Sequence, residues 1–417
     1  MTNALSVWWG NAVVGTLSLN RHGEMRFTYS EGWLADATTP ALSVSLPKRP
    51  ESFSRRECRP FFEGLLPEAA QRDAVAKALG ISSGNEFKLL DALGGDVAGA
   101  LTFWPEGTTP VLPDSGVATE PLSDDELVNL LDSLPMRPFL AGKRGFRLSL
   151  AGAQSKIPVV LVNDRVALPA PGQPTTHILK PPIARFSETT ENEAFAMRLA
   201  LSLGLDVAPV QARAVAGRPY LLVTRYDRRI DAAGSVLRLH QEDFCQALGV
   251  ISDRKYAAEG GPGFSDCFNL IRRACTKPAV DVLKLLDAAI AQVIIGNADA
   301  HGKNYSLVYR EGGIEFSPLY DLLCTVAYPE LSAKFAMKIA KRGTLEDMRL
   351  GDWDKFAIEA GLGGPFVRRR VKELSVMAEE RTAGIVAGLA ASGLSEAALT
   401  GLANHIANRA KRLTTTV

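Results

Sequence analysis

Val293-Ile-Ile-Gly-Asn-Ala-Asp-Ala-His-Gly-Lys-Asn-Tyr-Ser-Leu307 is the stretch on which the reading of this chain turns. Four residues separate Asp299 from Asn304. The apolar runs Ala289–Ile295 and Tyr305–Tyr309 flank a short polar loop, which is expected to bring a carboxylate and an amide onto one ion or one nucleophile. An Asp-x-His could also belong to a metallohydrolase, but that chemistry draws on several imidazoles. The chain has five histidines, none within four residues of another.

The Asp-x4-Asn spacing is also that of a kinase catalytic loop, with Asp as base and Asn on magnesium. Phosphoryl transfer relies on positioning and charge neutralisation, so further parts should lie in order around the loop. Upstream, the small residues of Ser149-Leu-Ala-Gly-Ala-Gln-Ser-Lys156 leave backbone amides free to face an anion, and Lys156 adds charge. Lacking G-x-G-x-x-G, this stretch taken alone reads as a turn. Lys180 ends His177-Ile-Leu-Lys, where a solvated lysine is common. A helix over Thr189–Leu203 follows, carrying Glu191 and Glu193, either of which could fix the ammonium. Downstream, Asp321 in Ser317-Pro-Leu-Tyr-Asp-Leu-Leu323 comes one hairpin after Asn304. By itself it reads as a helix N-cap. The order of these parts carries the case: small-residue loop, strand lysine, helix glutamate, Asp-x4-Asn, hairpin, Asp.

Bulk properties set outer limits. The chain has 417 residues, 46% hydrophobic and 22% charged, with a net charge of +1. That is ample for two to three globular domains and lacks the basic excess of a free-standing nucleic-acid binder. The five cysteines form no Cys-x-x-Cys pair and read as reduced thiols. The first positive charge is Arg21, so no signal peptide is expected. No apolar run approaches the length of a membrane span, and a cytoplasmic location is expected.

Turn chemistry organises the rest. Gly10-Asn11 and His22-Gly23 punctuate alternating runs over residues 5–30, predicting an antiparallel meander. Phe62, Leu65, Leu66, Ala69 and Ala70 predict one helical face ended by Gly80. Glu86–Leu93 reads as a short helix and Val97–Trp104 as a strand. Pro105–Pro121 reads as a linker, and Ser123-Asp-Asp-Glu126 as a capping box opening the helix Leu127–Leu134. Strands are expected at Phe146–Leu150, Ile157–Val162, His177–Leu179 and Tyr220–Thr224. From Gln241 helices dominate, except for a hairpin of Tyr305–Tyr309 with Ile314–Phe316. The tail Leu374–Arg412 reads as helical with a restart at Ser395-Glu396.

Several ordered motifs resemble the HipA family of serine/threonine kinase toxins: Phe62-Glu-Gly-Leu-Leu-Pro-Glu68, Ser149–Lys156, Asn192-Glu193, Arg225-Tyr-Asp-Arg228, Gln241-Glu-Asp-Phe-Cys-Gln246, Lys255-Tyr256 with Gly260-Gly-Pro-Gly263, Asn297–Asn304 and Tyr320-Asp-Leu322. The resemblance implies an α+β, two-lobed, protein-kinase-like and distantly lipid-kinase-like fold. An N-terminal β-rich subdomain over 1–105, a linker over 106–122, an N-lobe over 123–224 and an all-α C-terminal lobe over 225–417 would make it up. It implies ATP and Mg2+ as cofactors, with Asp299 as catalytic base and Asn304 and Asp321 as metal ligands. Ala151, Gly152, Ala153, Gln154, Ser155, Lys156 and Lys180 would hold the phosphates, with Glu193 in the same set. Thr224, Arg225 and Tyr226 would form the adenine hinge, with Asp227 beside them. His301, Gly302, Lys303 and Asn304 would line the nucleotide and substrate side. Ser149 matches the autophosphorylated serine whose modification expels the loop.

The family also implies partners: a HipB-like helix-turn-helix antitoxin, DNA reached through it, and a protein substrate such as an aminoacyl-tRNA synthetase. Two motifs, the hinge and the phosphate loop, depart from the expected pattern. Thr224 and Tyr226 stand where an acidic residue and Phe are expected, and Ser155 stands where an acidic residue is expected before Lys156. Other readings of the same parts are a small-molecule kinase of aminoglycoside or choline type and a catalytically silent repressor partner. Against the first, Asn297 lies two residues before Asp299, where those enzymes carry a histidine.

Overall fold

The computed structural model describes residues 3–111, 119–143 and 145–417. The chain divides into two compact units. One comprises Met1–Pro181, Val215–Arg218 and Thr224–Asp253, the other Pro182–Ala214, Pro219–Val223 and Arg254–Val417.

The first unit opens with the expected meander: β1 (Ala4–Trp9), β2 (Ala12–Leu19) and β3 (Met25–Tyr29), paired antiparallel in sequence. Gly10 takes φ +58° at the first turn, a conformation that costs a glycine little. Alternate residues of β3 point inward, so Met25, Phe27 and Tyr29 are buried. After the short α1 (Glu31–Ala35), the expected single helix ending at Gly80 is two: α2 (Arg55–Glu63) and α3 (Ala69–Leu79). Pro67 explains the break, because it has no N–H to donate and biases Leu66 away from helical dihedrals. Phe62 of α2 packs on Phe27 at 5.4 Å between ring centroids, inside the core.

α4 (Glu86–Leu93) is capped by the Asn85 side chain, which accepts from the Lys88 N–H at 3.0 Å. β4 (Leu101–Pro105) then returns to pair with β1. This strand begins four residues later than expected. Residues before it run irregularly through Gly99 at φ +86°. Part of the expected linker, 112–118, lies outside the described residues. α5 (Asp124–Ser133) begins at the capping box of Ser123 and Glu126.

β5 (Ile157–Val162) pairs antiparallel with both β6 (Arg165–Ala167) and β7 (His177–Lys180). Asn163 and Asp164 make the β5–β6 turn with positive φ, as a two-residue hairpin requires. The expected strand Phe146–Leu150 is absent. In its place Leu148 makes one isolated parallel bridge to Asp96. The Asp96 N–H donates to the Arg147 carbonyl at 2.9 Å, and the Ser149 N–H to the Asp96 carbonyl at 3.0 Å. Glycines with positive φ on either side, Gly145 and Gly152, keep the segment from extending into a ladder.

In the second unit α6 (Thr189–Ser202) stops where Gly204 turns to φ +85°. β8 (Val210–Val215) and β9 (Arg218–Thr224) follow as a hairpin whose turn, Val215–Arg218, and last residue, Thr224, belong to the first unit. The chain continues in the first unit with the paired β10 (Arg228–Ile230) and β11 (Val236–Arg238). Then come β12 (His240–Asp243) and α7 (Phe244–Leu248), joined by a capping box of Asp243 and Gln246.

Back in the second unit, α8 (Phe264–Ala274) and the apolar α9 (Pro278–Ile295) precede the expected hairpin, β13 (Ser306–Arg310) with β14 (Gly313–Phe316). α10 (Asp352–Ala360) packs Phe356 against Phe264 and Phe268 of α8, with Trp353 edge-on to Phe356. The tail forms α11 (Gly364–Ala390) and α12 (Glu396–Thr414), which pack on each other. Ser395 caps α12 at the expected restart. No helix among the described residues is long and apolar enough to cross a membrane.

Candidate active site

The loop expected to hold phosphate, residues 149–156, lies in the first unit. Ser149 is fully buried, and its hydroxyl donates to the Leu65 carbonyl at 2.8 Å. The break between α2 and α3 supplies that acceptor and more. The Glu68 N–H donates to the Gly152 carbonyl at 3.2 Å, and Pro67 bridges Gly152 in parallel. Gln71 Nε2 donates to Ser155 Oγ at 3.1 Å. The loop is therefore anchored near its start, middle and end by the stretch containing Leu65, Glu68 and Gln71.

Gly152 sits at φ +106°, and a Cβ there would come within 2.6 Å of Lys156 Nζ. The positive φ favours glycine, and any larger residue would also have to push the Lys156 ammonium aside. Lys156 Nζ donates to the Ala151 carbonyl at 3.0 Å, while Ala153 forms the exposed crest. β5 pairs Ile157 with Leu179, which brings Lys156 and Lys180 to the same end of one ladder. Two ammonium groups beside a small-residue loop suit a polyanion.

The segment Thr224–Asp227 is also in this unit, but its charged side chains serve the fold. Arg225 Nη2 and Nε donate to the Asp227 carboxylate at 2.8 and 3.0 Å. Arg225 Nη1 donates to Thr175 Oγ1 at 2.9 Å and Nη2 to the Val97 carbonyl at 2.8 Å. Arg228 Nη2 meets Asp96 Oδ1 at 2.7 Å, and Arg238 Nε the same oxygen at 3.4 Å. Burial pushes the Asp96 carboxyl up, but the guanidinium groups of Arg228, Arg225 and Arg238 outweigh it and hold the group well below the usual carboxylate range. Arg225 and Asp227 thus have their side chains engaged inside the protein. A nucleotide contact from them would use main-chain atoms. Tyr226 hydrogen-bonds the Gln241 side chain through its hydroxyl.

Asp96 was not among the residues singled out from sequence. Its backbone pairs with 147–149 at the loop entrance, while its carboxylate anchors Arg225 and Arg228. The signal for it is indirect: the buried arginines Arg225 and Arg228 need an acid beyond Asp227.

The second unit holds the opening stretch. α9 ends at Gly296, φ +80°, where a Cβ would lie 2.5 Å from Val326 Cγ2 and 2.8 Å from Arg409 Nε. Arg409 of α12 donates to the Val293 carbonyl at 2.9 Å, serving an acceptor at the helix end. The loop is then laced down: the Ala298 N–H donates to Thr325 Oγ1 at 2.8 Å, and the Ala298 carbonyl accepts from the Ala336 N–H at 2.8 Å. Asp299 is exposed, and the Tyr256 hydroxyl donates to its Oδ1 at 2.8 Å.

After Asp299 a 3-10 turn buries His301, Gly302, Lys303 and Asn304. The His301 N–H donates to Asn304 Oδ1 at 3.2 Å, and Asn304 Nδ2 lies 3.4 Å from Asp321 Oδ2. The loop and Asp321, 17 residues apart, are thus brought together. Asp321 is not a helix N-cap. It has φ +59°, a left-handed conformation that costs a non-glycine residue energy and that the surroundings must enforce.

Tyr320, which sequence reasoning left out of the site, supplies part of that enforcement. Its hydroxyl donates to the Lys303 carbonyl at 2.7 Å and pairs with Ser306 Oγ at 2.6 Å. Asn192 of α6 supplies the rest. Its Oδ1 accepts from the Cys324 N–H at 2.7 Å, and its Nδ2 donates to the Cys324 carbonyl at 3.1 Å. Glu193, the next residue on α6, is 1% exposed.

A carboxylate and an amide side by side are hard oxygen donors of the kind Mg2+ takes, with waters and phosphate oxygens completing its octahedron. Among the described residues no group of three or more His, Cys, Asp or Glu could hold a metal unaided. The donors present therefore fit a cation that arrives with a phosphate ligand.

Known proteins share this architecture. The HipA N-terminal domain profile matches residues 5–104 and the HipA-like C-terminal domain profile residues 148–382. The Sinorhizobium fredii protein named "Putative kinase Y4mE" is 57% identical over 98% of this chain and 97% of its own. The "Serine/threonine-protein kinase toxin HipA" of Shewanella oneidensis is 32% identical over 81% of this chain and 79% of its own. A chain in the structure of the Shewanella oneidensis toxin–antitoxin complex of HipA, HipB and operator DNA superposes with a TM-score of 0.85 at 27% identity, over 99% of both chains. The fold is thus α+β and kinase-like. The chain belongs to the HipA family of kinase toxins.

Proposed function

We propose that this chain is an ATP- and Mg2+-dependent serine/threonine protein kinase acting as the toxin of a toxin–antitoxin pair. The observation that carries the reading is the convergence of Asn304 and Asp321, 3.4 Å apart, on a loop that exposes Asp299. In this reading Asp299 takes the proton of an acceptor hydroxyl as that oxygen bonds the γ-phosphorus and the bond to ADP breaks. Asn304 and Asp321 would hold Mg2+, which when bound would supply charge neutralisation at the phosphate oxygens. Lys156, Lys180 and the amides of 151–156 bind phosphate, and Glu193 supplies the helix carboxylate of the set. Main-chain atoms of Thr224–Asp227 face the adenine, and His301, Gly302 and Lys303 border the acceptor.

Ser149 is the self-inactivation site in this proposal. Its hydroxyl is a donor to Leu65. A phosphate there removes the donor and places about −1.5 to −2 charges against a carbonyl, which favours expulsion of the loop. A HipB-like helix-turn-helix antitoxin, and DNA through it, are the proposed partners, supported by the composition of the Shewanella oneidensis complex. An aminoacyl-tRNA synthetase is the proposed substrate. A panel of purified synthetases incubated with the chain, Mg2+ and γ-labelled ATP tests this. Label on a serine or threonine of one synthetase, with loss of its charging activity, is the expected result. Label on none, in a preparation that does label other proteins, removes the synthetase from the account.

A further inference from the structure

We propose that Tyr256 is a positioning residue for Asp299, fixing one carboxylate oxygen so that the acceptor hydroxyl meets a base of set orientation. The inference rests on the kinase reading of Asp299. Its footing is a set of contacts within the second unit. The Tyr256 hydroxyl donates to Asp299 Oδ1 at 2.8 Å. The same ring meets His301 edge-on, with centroids 5.1 Å apart and planes at 82°. One tyrosine thus touches the residues on both sides of Ala300.

The backbone holds the two partners in register. Ala336 accepts from the Ala257 N–H at 3.3 Å through its carbonyl and donates its own N–H to the Ala298 carbonyl at 2.8 Å. The neighbours of Tyr256 and of Asp299 are therefore tied to the same residue. The Tyr256 segment is itself closed into a tight turn. The N–H groups of Glu259 and Gly261 both donate to the Tyr256 carbonyl at 2.9 Å. A Cβ on Gly261 would come within 2.3 Å of the Arg254 carbonyl, so the turn closes only around glycine. Tyr256 is half-buried while Asp299 is exposed, so the hydroxyl of an anchored ring sets the orientation of a carboxylate that faces solvent.

The consequence is a division of labour between the two carboxylate oxygens. Oδ1 is held by the phenol, and Oδ2 carries the proton transfer. A substrate hydroxyl is reached only in the rotamer that the phenol selects, and a small misplacement of a catalytic group costs rate steeply. Tyr256 adds nothing to ATP binding in this scheme, which separates it from a residue that merely supports the fold.

The test uses the full chain with Mg2+ and γ-labelled ATP, following ADP formation and label on protein. Wild type, Tyr256→Phe, Asp299→Gln and the double variant are compared, with ATP affinity and melting temperature measured for each. Tyr256→Phe keeps the ring and its edge contact. Its maximal rate should fall roughly 10- to 100-fold, the loss expected of one hydrogen bond to a charged group, with KM for ATP and melting temperature unchanged. In the Asp299→Gln background the same substitution should cost nothing further. A Tyr256→Phe rate equal to or above wild type overturns the inference, the latter marking Tyr256 as a plug over the base. A rate lost together with ATP affinity or melting temperature also overturns it. Wild type that forms no ADP and no labelled protein fails the kinase reading itself, a result distinct from any failure confined to Tyr256→Phe.

Discussion

Ser149 Oγ donates to the carbonyl of Leu65 at 2.8 Å, across 84 residues of sequence, and the serine is wholly buried. The N-terminal stretch that begins with Phe62-Glu-Gly-Leu-Leu-Pro-Glu68 therefore supports the loop 149–156, the proposed phosphate loop. Leu65, Glu68 and Gln71 each hold one point of the loop.

A carboxylate in place of that hydroxyl reverses donor to acceptor and adds charge. Ser149→Asp should weaken ATP binding by about tenfold or more, while Ser149→Ala stays within roughly threefold of wild type. Calorimetric titration with ATP and Mg2+ checks this. Equal affinities for Ala and Asp would mean that the anion does not displace the loop.

Asp96 joins the loop entrance to the Arg225–Arg228 segment, and removing its charge leaves buried guanidinium groups uncompensated. Asp96→Asn should lower unfolding free energy by about 3–5 kcal/mol in urea titrations. Because its carboxyl lies below the usual carboxylate range when folded, the contribution is present above about pH 4 and is lost as pH falls through the folded value. A cost near zero at pH 7 would show that the cluster is not a structural joint.

His240 gives a second pH dependence in a higher window. Burial pushes its imidazole down to about 4, outweighing the Leu42 carbonyl, which its Nε2 meets at 2.9 Å, and the charge of Asp227. The unfolded chain binds the extra proton first, so stability is full above about pH 6.5 and falls as pH drops toward 4, by roughly 3 kcal/mol across the window. Urea midpoints at pH 7.5 and pH 5 should differ in wild type and differ less in His240→Asn. The same pH slope in both proteins would remove His240 as the cause.

Asn192 fastens α6 to the backbone three residues after Asp321. Asn192→Ala leaves the buried Cys324 N–H without its acceptor, at about 1–3 kcal/mol. The Mg2+ midpoint of phosphoryl transfer should rise as the Asp321 segment loosens. A lower melting temperature with an unchanged Mg2+ midpoint would confine Asn192 to the fold.

What was legible in the sequence was mostly local. The capping box at Ser123, the restart at Ser395, the glycine stops at Gly80 and Gly204 and the hairpin after Tyr305 are set by residues a few positions apart. Two elements were misread. Apolar spacing around Leu65 carried a helix through Pro67, where the missing N–H breaks it. Phe146–Leu150 alternates like a strand, but its backbone partners belong to Asp96, which no local pattern announces. The approach of Asp321 to Asn304 was legible in their order, since the proposed chemistry would need both on one ion. The tethers could not: Tyr256 reaches Asp299 across 43 residues, and Arg225 reaches Asp96 across 129. The left-handed Asp321 backbone was hidden for a similar reason, since the neighbouring Tyr320 is tied to Lys303 and the segment just after it to Asn192 of α6.

The central claim is that Asp299 is the base of a phosphoryl transfer, and one measurement reaches it directly. The full chain and its Asp299→Gln variant are incubated with Mg2+ and γ-labelled ATP, and transfer is followed alongside ATP affinity. The account predicts unchanged affinity with a rate lowered by about 10²–10⁴-fold. Transfer by Asp299→Gln at the wild-type rate would contradict it.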